Sequence, residues 1–218
     1  MPSDWVGSGR RSGLPDGAQM IRVGLLALQG GVAEHGRLLA ELGADVVPVR
    51  APSDLVGPDG PRVDALVLPG GESSTIDKLL RLFELAEPLR DAIASGLPTL
   101  GTCAGLVLLA REVVDPAPGQ HSLGVLDVTV QRNAFRPQVD SAATALVTAL
   151  GAVRVAFIRA PIVTRLGTGV EELATWQDRV VAVRQGKVTG ISFHPELTGD
   201  PTFHRALLAS AAGSVRAA

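Results

Sequence analysis

The sequence predicts an α/β fold, with a mixed, mostly parallel sheet and helices on both of its faces. Short, continuous apolar runs alternate with amphipathic segments through the first half of the chain, as parallel strands buried between helices do. After Pro118, strand-like runs follow one another with few helical residues between them, which predicts antiparallel strands added to the same sheet. The chain has 218 residues, of which 46% are hydrophobic, and this is enough for one well-packed domain. We expect that domain to span residues 20–218, after a disordered N-terminal extension, residues 1–19, rich in Gly, Ser and Arg.

Turn residues separate the elements of the first half. The run IRVGLLAL predicts the first strand, and VAEHGRLLAEL, after Gly30-Gly31, has helical spacing and stops at Gly43. ADVVPVR and VDALVLP predict the second and third strands. The remaining elements of this half are, in order, a helix from about Ser73 through Leu82, a helix from about Glu84 to Ser95, the strand LPTLGT, and a helix over AGLVLLAREV directly after Cys103.

The second half is predicted to be mainly strands. They are GVLDVTVQR, VRVAFIR, RVVAVRQ and KVTGISF, and the last two are joined by a tight hairpin at Arg184-Gln185-Gly186-Lys187. A final helix, from about Thr202 to Ala212, is expected to cover the sheet.

Composition excludes several classes of function. The formal net charge is −2, and no basic patch long enough to follow a nucleic-acid backbone occurs. No apolar stretch reaches the roughly 20 residues of a membrane helix. A single cysteine forbids an internal disulfide and fits a reducing, cytoplasmic location. Because three scattered histidines and one cysteine make a poor ligand set, we expect no metal site.

The segment Gly101-Thr102-Cys103-Ala104-Gly105 is the strongest candidate for chemistry. It lies between an apolar strand and an apolar helix, which is the layout of a nucleophile elbow. Small neighbours permit a sharp turn, the helix N-terminus favours a thiolate, and the N–H of Ala104 could stabilise an oxyanion. A buried cysteine that merely packs helix against strand is the alternative.

The second candidate is Phe193-His194-Pro195-Glu196, which follows the strand KVTGIS. Spacing of i, i+2 in extended backbone puts His194 and Glu196 on the same side of the chain. Glu196 could then fix the tautomer of the imidazole while the other ring nitrogen accepts the thiol proton. Taken alone, the motif could equally be a chance pair on a surface loop.

A third candidate, Pro69-Gly70-Gly71-Glu72-Ser73-Ser74, also joins a strand to a helix. The N–H of Gly71 could serve as a second oxyanion donor, whereas the nucleotide-binding glycine motifs are missing. An ordinary glycine-rich turn with a serine helix cap is the simpler interpretation. Carboxyl ends of parallel strands meet at one sheet edge, so the three motifs together predict a site for acyl transfer through a thioester. His35 and His204 lie in predicted helices and are interpreted as packing or solvated residues, and His121 lies in a Pro/Gly-rich loop.

These motifs together resemble the triad (class I) glutamine amidotransferases, whose fold is a three-layer, flavodoxin-like α/β domain. LALQGGVAEH, LVLPGGESSTI, LGTCAGLVLLA, QRNAF, FIRAP and SFHPELTGD further resemble the glutaminase subunits of pyridoxal 5'-phosphate synthase, the PdxT/SNO family. The resemblance runs from about Ile21 to Leu208 and implies hydrolysis of L-glutamine to L-glutamate and ammonia, without a cofactor. It further implies a partner, a (β/α)8-barrel synthase subunit that uses the ammonia to build pyridoxal 5'-phosphate within a large hetero-oligomer.

The resemblance also assigns roles to individual residues. Cys103, His194 and Glu196 would form the catalytic triad, and the N–H groups of Gly71 and Ala104 the oxyanion hole. Gly71, Glu72, Ser73, Arg132, Ile158 and Arg159 would bind glutamine, and Gln29 would face the partner. A guanidinium such as that of Arg132 suits the substrate α-carboxylate; an exposed strand-end arginine is the alternative.

The chain departs from the family after Asn133-Ala134-Phe135, where Arg136-Pro137-Gln138 replaces the usual Gly-Arg-Gln. Proline removes a backbone donor and fixes φ, so this loop must differ in shape. This departure favours one alternative, a catalytically degenerate subunit that only binds its partner. Two others are a glutaminase serving another acceptor pathway and a cysteine-dependent chaperone or peptidase on a similar fold.

Overall fold

The computed structural model describes residues 20–58, 60–135 and 144–215. The expected extension over residues 1–19 and the departure at Arg136-Pro137 lie outside the described residues. The strands are β1 (Arg22–Leu26), β2 (Asp45–Val49), β3 (Val56–Gly57), β4 (Gly60–Pro61), β5 (Ala65–Leu68), β6 (Thr99–Thr102), β7 (Ala110–Val114), β8 (Leu126–Gln131), β9 (Thr144–Thr148), β10 (Gly151–Val155), β11 (Ile162–Leu166), β12 (Glu171–Trp176), β13 (Arg179–Gln185) and β14 (Val188–Ile191). The helices are α1 (Val32–Glu41), α2 (Pro52–Leu55), α3 (Ser73–Leu82), α4 (Ala86–Ala94), α5 (Ala104–Leu109) and α6 (Thr202–Val215).

A ten-stranded mixed sheet forms the centre of the fold. Its order is β2-β1-β5-β6-β14-β13-β11-β8-β7, and β12 pairs with β13. From β2 to β14 all neighbours are parallel, and β7 also runs parallel to β8. Antiparallel pairing links β14 to β13, β13 to β11 and β12, and β11 to β8. The strands whose carboxyl ends carry the three candidate motifs, β5, β6 and β14, are therefore direct neighbours in the sheet.

The sheet has a hydrophobic core on each face, because successive side chains of a strand point to opposite sides. On β5, for example, Leu66 and Leu68 belong to one core, and Ala65 and Val67 to the other. Buried residues of α3, α4 and α5 complete the first core, and those of α1 and α6 complete the second. This arrangement confirms helices on both faces.

The structure corrects several predictions for individual elements. The helix after Cys103 ends at Leu109, and Ala110–Val114 forms β7, because pairing with β8 satisfies its backbone and Val113-Val114 suits a strand. The strand expected over VRVAFIR is only Gly151–Val155, and it pairs with β9 in a separate two-stranded sheet. β14 pairs in parallel with β6 as well as antiparallel with β13. Propensity alone does not decide these choices, since each also depends on the neighbouring strand in the sheet.

Candidate active site

Cys103 lies in the sharp turn between β6 and α5 with φ of 49°, in the left-handed region that residues with a side chain rarely adopt. Two glycines make this turn possible. A Cβ on Gly105 would come within 2.1 Å of the Leu68 carbonyl oxygen, and one on Gly101 within 2.5 Å of Leu109 Cδ1. The N–H of Cys103 donates to the Ile191 carbonyl at 2.7 Å, which ties the turn to β14. The backbone therefore has the geometry of the predicted nucleophile elbow.

His194 and Glu196 follow the end of β14 and form a buried pair. His194 Nδ1 lies 2.6 Å from Glu196 Oε1, and the two residues are 8% and 7% exposed. The N–H of His194 donates to the Ala156 carbonyl at 2.9 Å, so the backbone of the base is anchored to the segment that carries Ile158 and Arg159. Glu196 is thus positioned to orient the imidazole, as the i, i+2 spacing predicts.

The electrostatics of His194 favour a charged ring beside the thiol. Burial by itself lowers the pKa of His194, but hydrogen bonding to Cys103 and Glu196, together with the negative charges on these two groups, outweighs burial and raises the pKa to about 10. At neutral pH the arrangement therefore favours an imidazolium beside the sulfur of Cys103, and a neighbouring cation promotes the nucleophilic reactivity of a cysteine.

The turn between β5 and α3 brings Gly70 and Gly71 against this pair. A Cβ on Gly70 would lie 2.3 Å from His194 Cε1 and 3.4 Å from Cys103 Cβ, so only glycine fits there. The Gly70 carbonyl accepts from the N–H of Gly31 at 3.0 Å, and Gln29 Oε1 accepts from the N–H of Glu72 at 2.9 Å. Two hydrogen bonds thus join this turn to the β1–α1 loop.

The side chain of Glu72 caps α3 and pairs with Arg132. Its carboxylate accepts from the backbone N–H groups of Ser74 and Thr75, and these contacts, with those from the two hydroxyls, lower the pKa of Glu72 to about 2 despite the opposing effect of burial. Arg132 Nη2 lies 3.1 Å from Glu72 Oε1, and Arg132 Nη1 donates to Gln120 Oε1 at 2.8 Å. Gln120 Nε2 in turn donates to Ser73 Oγ at 3.0 Å. The helix cap is therefore Glu72, where the simpler interpretation expected a serine.

One cleft of about 460 Å³ is lined by all eleven residues that the sequence singles out. Ile158 is 42% exposed at this cleft, and its carbonyl oxygen lies 4.0 Å from Cys103 Sγ. Arg159 is held in the left-handed region with φ of 45°. The eleven residues are Gln29, Gly71, Glu72, Ser73, Cys103, Ala104, Arg132, Ile158, Arg159, His194 and Glu196.

Comparison with known proteins agrees with this geometry. Residues 25–210 match the SNO glutamine amidotransferase family, which is most of the chain. The chain belongs to this family. A relative from Parafrankia sp. (strain EAN1pec), named pyridoxal 5'-phosphate synthase subunit PdxT, is 56% identical over 187 residues, covering 84% of this chain and 90% of the relative. A relative of the same name from Acidothermus cellulolyticus is 52% identical over 203 residues, covering 89% and 96%.

A solved structure confirms the fold of this SNO-family chain. A crystal structure described as a glutamine amidotransferase superimposes with a TM-score of 0.80 at 47% identity, covering 87% of this chain and 98% of the other. The flavodoxin-like α/β fold of class I amidotransferases, expected from the resemblance, is therefore correct.

Three residues at the site of this SNO-family chain escaped the sequence analysis. Gln120 lies in a Pro/Gly-rich segment that carries no motif, and only the structure shows that it bridges Arg132 and Ser73. The sequence indicates only packing or solvated roles for His35 and His204. In the structure both are fully buried, and their ring nitrogens lie 2.8 Å apart. His35 also lies 3.6 Å from the carboxylate of Glu196. No spacing in the sequence relates these two histidines, because helices on the same face of the sheet bring them together.

Two further observations concern metals and membranes. Among the described residues, no three His, Cys, Asp or Glu side chains are grouped as metal ligands would be. None of the helices in the described part of the chain has both the length and the apolar character needed to cross a bilayer.

Proposed function

We propose that this chain is the glutaminase subunit of a pyridoxal 5'-phosphate synthase and that it hydrolyses L-glutamine to L-glutamate and ammonia. The observation that carries the proposal is the position of Cys103, on a nucleophile elbow beside the buried His194–Glu196 pair. Membership of the SNO family and the names of its close relatives favour this reaction over other cysteine chemistry.

The reaction begins with attack of the Cys103 thiolate on the carboxamide carbon of glutamine. The N–H groups of Gly71 and Ala104 stabilise the tetrahedral oxyanion; within the described residues, neither donates a hydrogen bond to another group. The imidazolium of His194 gives its proton to the leaving nitrogen, so ammonia departs and a γ-glutamyl thioester remains. Neutral His194 then takes a proton from water, which attacks the thioester and releases glutamate.

The walls of the cleft supply the binding groups for glutamine. Arg132 retains guanidinium N–H groups beyond those that donate to Glu72 and Gln120, and these can bind the substrate α-carboxylate. Glu72 and Ser73 support this arginine, directly and through Gln120. Ile158 and Arg159 close the other side of the cleft, next to the thiol.

A synthase subunit gives the released ammonia a destination, because free ammonia is protonated and lost in water. The proposed partner is a (β/α)8 barrel, assembled with this chain in a large hetero-oligomer in the cytoplasm. Pyridoxal 5'-phosphate would be made on that partner, so the glutaminase itself needs no cofactor. We also propose that residues 20–218 form a single amidotransferase domain that follows an N-terminal extension.

The deciding experiment measures glutamate release from glutamine by the wild type and by Cys103→Ala, each with and without the synthase subunit. We expect hydrolysis that the partner stimulates and that Cys103→Ala abolishes. Hydrolysis that survives in Cys103→Ala would exclude the thioester mechanism. Binding to the synthase without any hydrolysis would favour a degenerate subunit, and stimulation by a different synthase would favour another acceptor pathway.

A further inference from the structure

A row of buried polar side chains continues from Glu196 of the proposed triad to His35 and His204. Glu196 uses Oε1 to bind His194, whereas its second oxygen, Oε2, is buried and has no hydrogen-bond partner within the described residues. His35 Nε2 lies 3.6 Å from this oxygen and 3.1 Å from the hydroxyl of Thr102, the residue before the nucleophile. His35 Nδ1 lies 2.8 Å from His204 Nε2.

Both histidines of this row are neutral. Burial, and then the charges of His204 and His194, hold the pKa of His35 well below its ordinary value. Burial likewise lowers the pKa of His204 to about 4, and the nearby Asp200 offsets only part of this effect. Each ring therefore carries one N–H, and the row has two arrangements of its protons.

In the first arrangement, His204 Nε2–H donates to His35 Nδ1, and His35 Nε2–H points at Glu196 and Thr102. Among the residues that the structure describes, His204 Nδ1 is then the one ring nitrogen of the pair without a partner, and it holds a lone pair. In the second arrangement, His35 carries its proton on Nδ1, which donates to His204 Nε2, and His204 carries its proton on Nδ1. His204 Nδ1 becomes a buried N–H without an acceptor, and a lone pair of His35 faces the Glu196 carboxylate. Since a buried unpaired donor and a lone pair against a carboxylate are both unfavourable, the first arrangement prevails.

We propose that His35 is a positioning residue for the triad: its Nε2–H, directed by His204, holds the free oxygen of Glu196 so that the other oxygen keeps His194 aligned with Cys103. The proposal rests on the proposed function. At 3.6 Å the contact is longer than a hydrogen bond, and hydrogen bonds of this kind often shorten only when substrate is bound.

The test uses the full chain with its synthase subunit and compares three variants. His35→Leu fills the space without an N–H, and His35→Gln restores an N–H close to the Nε2 position. Leu39→Val trims a fully buried side chain of the same helix and serves as the control for packing. We expect His35→Leu to lower kcat by about tenfold to a hundredfold with little change in KM, because the base is misaligned while the glutamine pocket is intact. His35→Gln should recover most of the loss, and Leu39→Val should keep the wild-type kcat.

A second readout does not depend on glutamine hydrolysis. The rate at which iodoacetamide alkylates Cys103 reports how well His194 supports the thiolate. His35→Leu should slow alkylation at neutral pH and make it depend more strongly on pH; His204→Leu, which removes the donor to His35, should do the same to a smaller extent. The titratable groups that face His35 are His204, Glu196 and His194. Comparing the alkylation rates of the His35 and His204 variants separates the effect of His204 from that of His35 itself.

A folded His35→Leu variant with wild-type kcat and wild-type alkylation would overturn the proposal, as would a loss that His35→Gln leaves unrescued. If His35→Leu does not fold, His35→Gln and His204→Leu decide the question by the same two readouts. If the wild type itself fails to hydrolyse glutamine, the proposed function fails, whereas the alkylation series still tests His35 alone.

Discussion

At the residue scale, glycines leave the space that allows catalytic side chains to reach the reacting atoms. Gly70 lies against both the base and the nucleophile, and its missing Cβ is the space that the His194 ring occupies. Glycine is needed here to let the His194 ring come close to the backbone, and not for backbone conformation, since Gly70 is not among the residues with positive φ. Alanine at this position would keep an allowed backbone and change only the contact with the ring.

Gly70→Ala should therefore lower kcat for glutamine hydrolysis on the order of a hundredfold, because the added methyl group must displace the His194 ring. Steady-state kinetics of glutamate release measure the effect. Gly36→Ala is the matched control, since a Cβ there meets Leu25 Cδ2 at an ordinary 3.7 Å and the residue lies within α1. Equal kcat in the two variants would show that the ring tolerates displacement.

The charge state of His194 leads to a prediction about Cys103. Because the pKa of His194 is raised to about 10, its ring stays protonated through neutral pH and loses its proton only as the pH approaches that value. Because a neighbouring cation promotes thiol reactivity, alkylation of Cys103 by iodoacetamide should then depend less steeply on pH, between about pH 7 and about pH 9, than it does without the imidazole. In His194→Ala the rate should rise steeply with pH, as it does for an ordinary thiol. As the chain has a single cysteine, total thiol loss is a sufficient assay. Parallel pH profiles in the two proteins would contradict the ion pair.

Gln120 allows the glutamine pocket to be tested apart from the triad. Its carboxamide holds the Arg132 guanidinium on one side and the Ser73 hydroxyl on the other. Gln120→Ala should raise KM for glutamine by about tenfold or more, roughly the loss of one hydrogen bond to a charged group, and leave kcat close to that of the wild type. His121→Ala, which removes an exposed neighbour, is the control. A fall in kcat at unchanged KM would instead connect Gln120 with the chemical step.

At the scale of elements, the sequence predicts most helices and strands but not all of their partners. Apolar runs and glycines locate α1, α3 and the strands β1, β5 and β6 to within a few residues. β7 was mistaken for helix because Leu and Ala up to Leu109 continue a helical composition, and only pairing with β8 reveals the strand. Eight of the eleven predicted residues meet in one cleft because they follow β1, β5, β6 and β14, which are neighbours in the sheet. Arg132 reaches the same cleft from the end of β8, and Ile158 and Arg159 reach it from the segment after β10. His35, His204 and Gln120 could not be predicted, since contacts between distant segments define their surroundings.

The N-terminus of α3 provides a stability prediction. Glu72→Ala should lower the free energy of unfolding by about 1 kcal/mol, the usual contribution of a helix cap. Hydrogen bonds lower the pKa of Glu72 from its ordinary value of 4.5 to about 2. The stabilisation by the cap is therefore complete when the pH is above 4.5, and it is lost as the pH falls towards 2. Urea unfolding of both proteins should accordingly show a difference at neutral pH that shrinks in acid. A difference that does not change with pH would mean that the carboxylate charge contributes nothing to the cap.

At the scale of the whole molecule, exposed apolar side chains at the cleft indicate where a partner would sit. Leu197 is 47% exposed and lines the cleft, as does Ile158. Leu82, which is 71% exposed, lies at the opposite end of α3 from the cleft. A partner that receives ammonia must approach the cleft, so its contact surface should include Leu197 and Ile158.

Leu197→Asp should therefore weaken binding of the synthase subunit by about tenfold or more, because a carboxylate would be buried in an apolar contact. Leu82→Asp should leave the affinity unchanged. Sedimentation or surface-based binding assays of the purified subunits provide the measurement. Equal affinities for the two variants would move the interface away from the cleft.

The position of β14 has a consequence for the order in which the protein folds. It is the last strand in the described chain, yet it lies in the interior of the sheet between β6 and β13. Until β14 is inserted, β6 and β13 each expose an unpaired edge, and the described strands of the sheet form two halves that are not paired with each other. Because β6 and β14 are far apart in the sequence, their pairing is a non-local step that slows folding, and until it is complete those edges are open to association with other chains. The same insertion delivers His194 to Cys103, so a chain that has not completed its sheet has a nucleophile without its base.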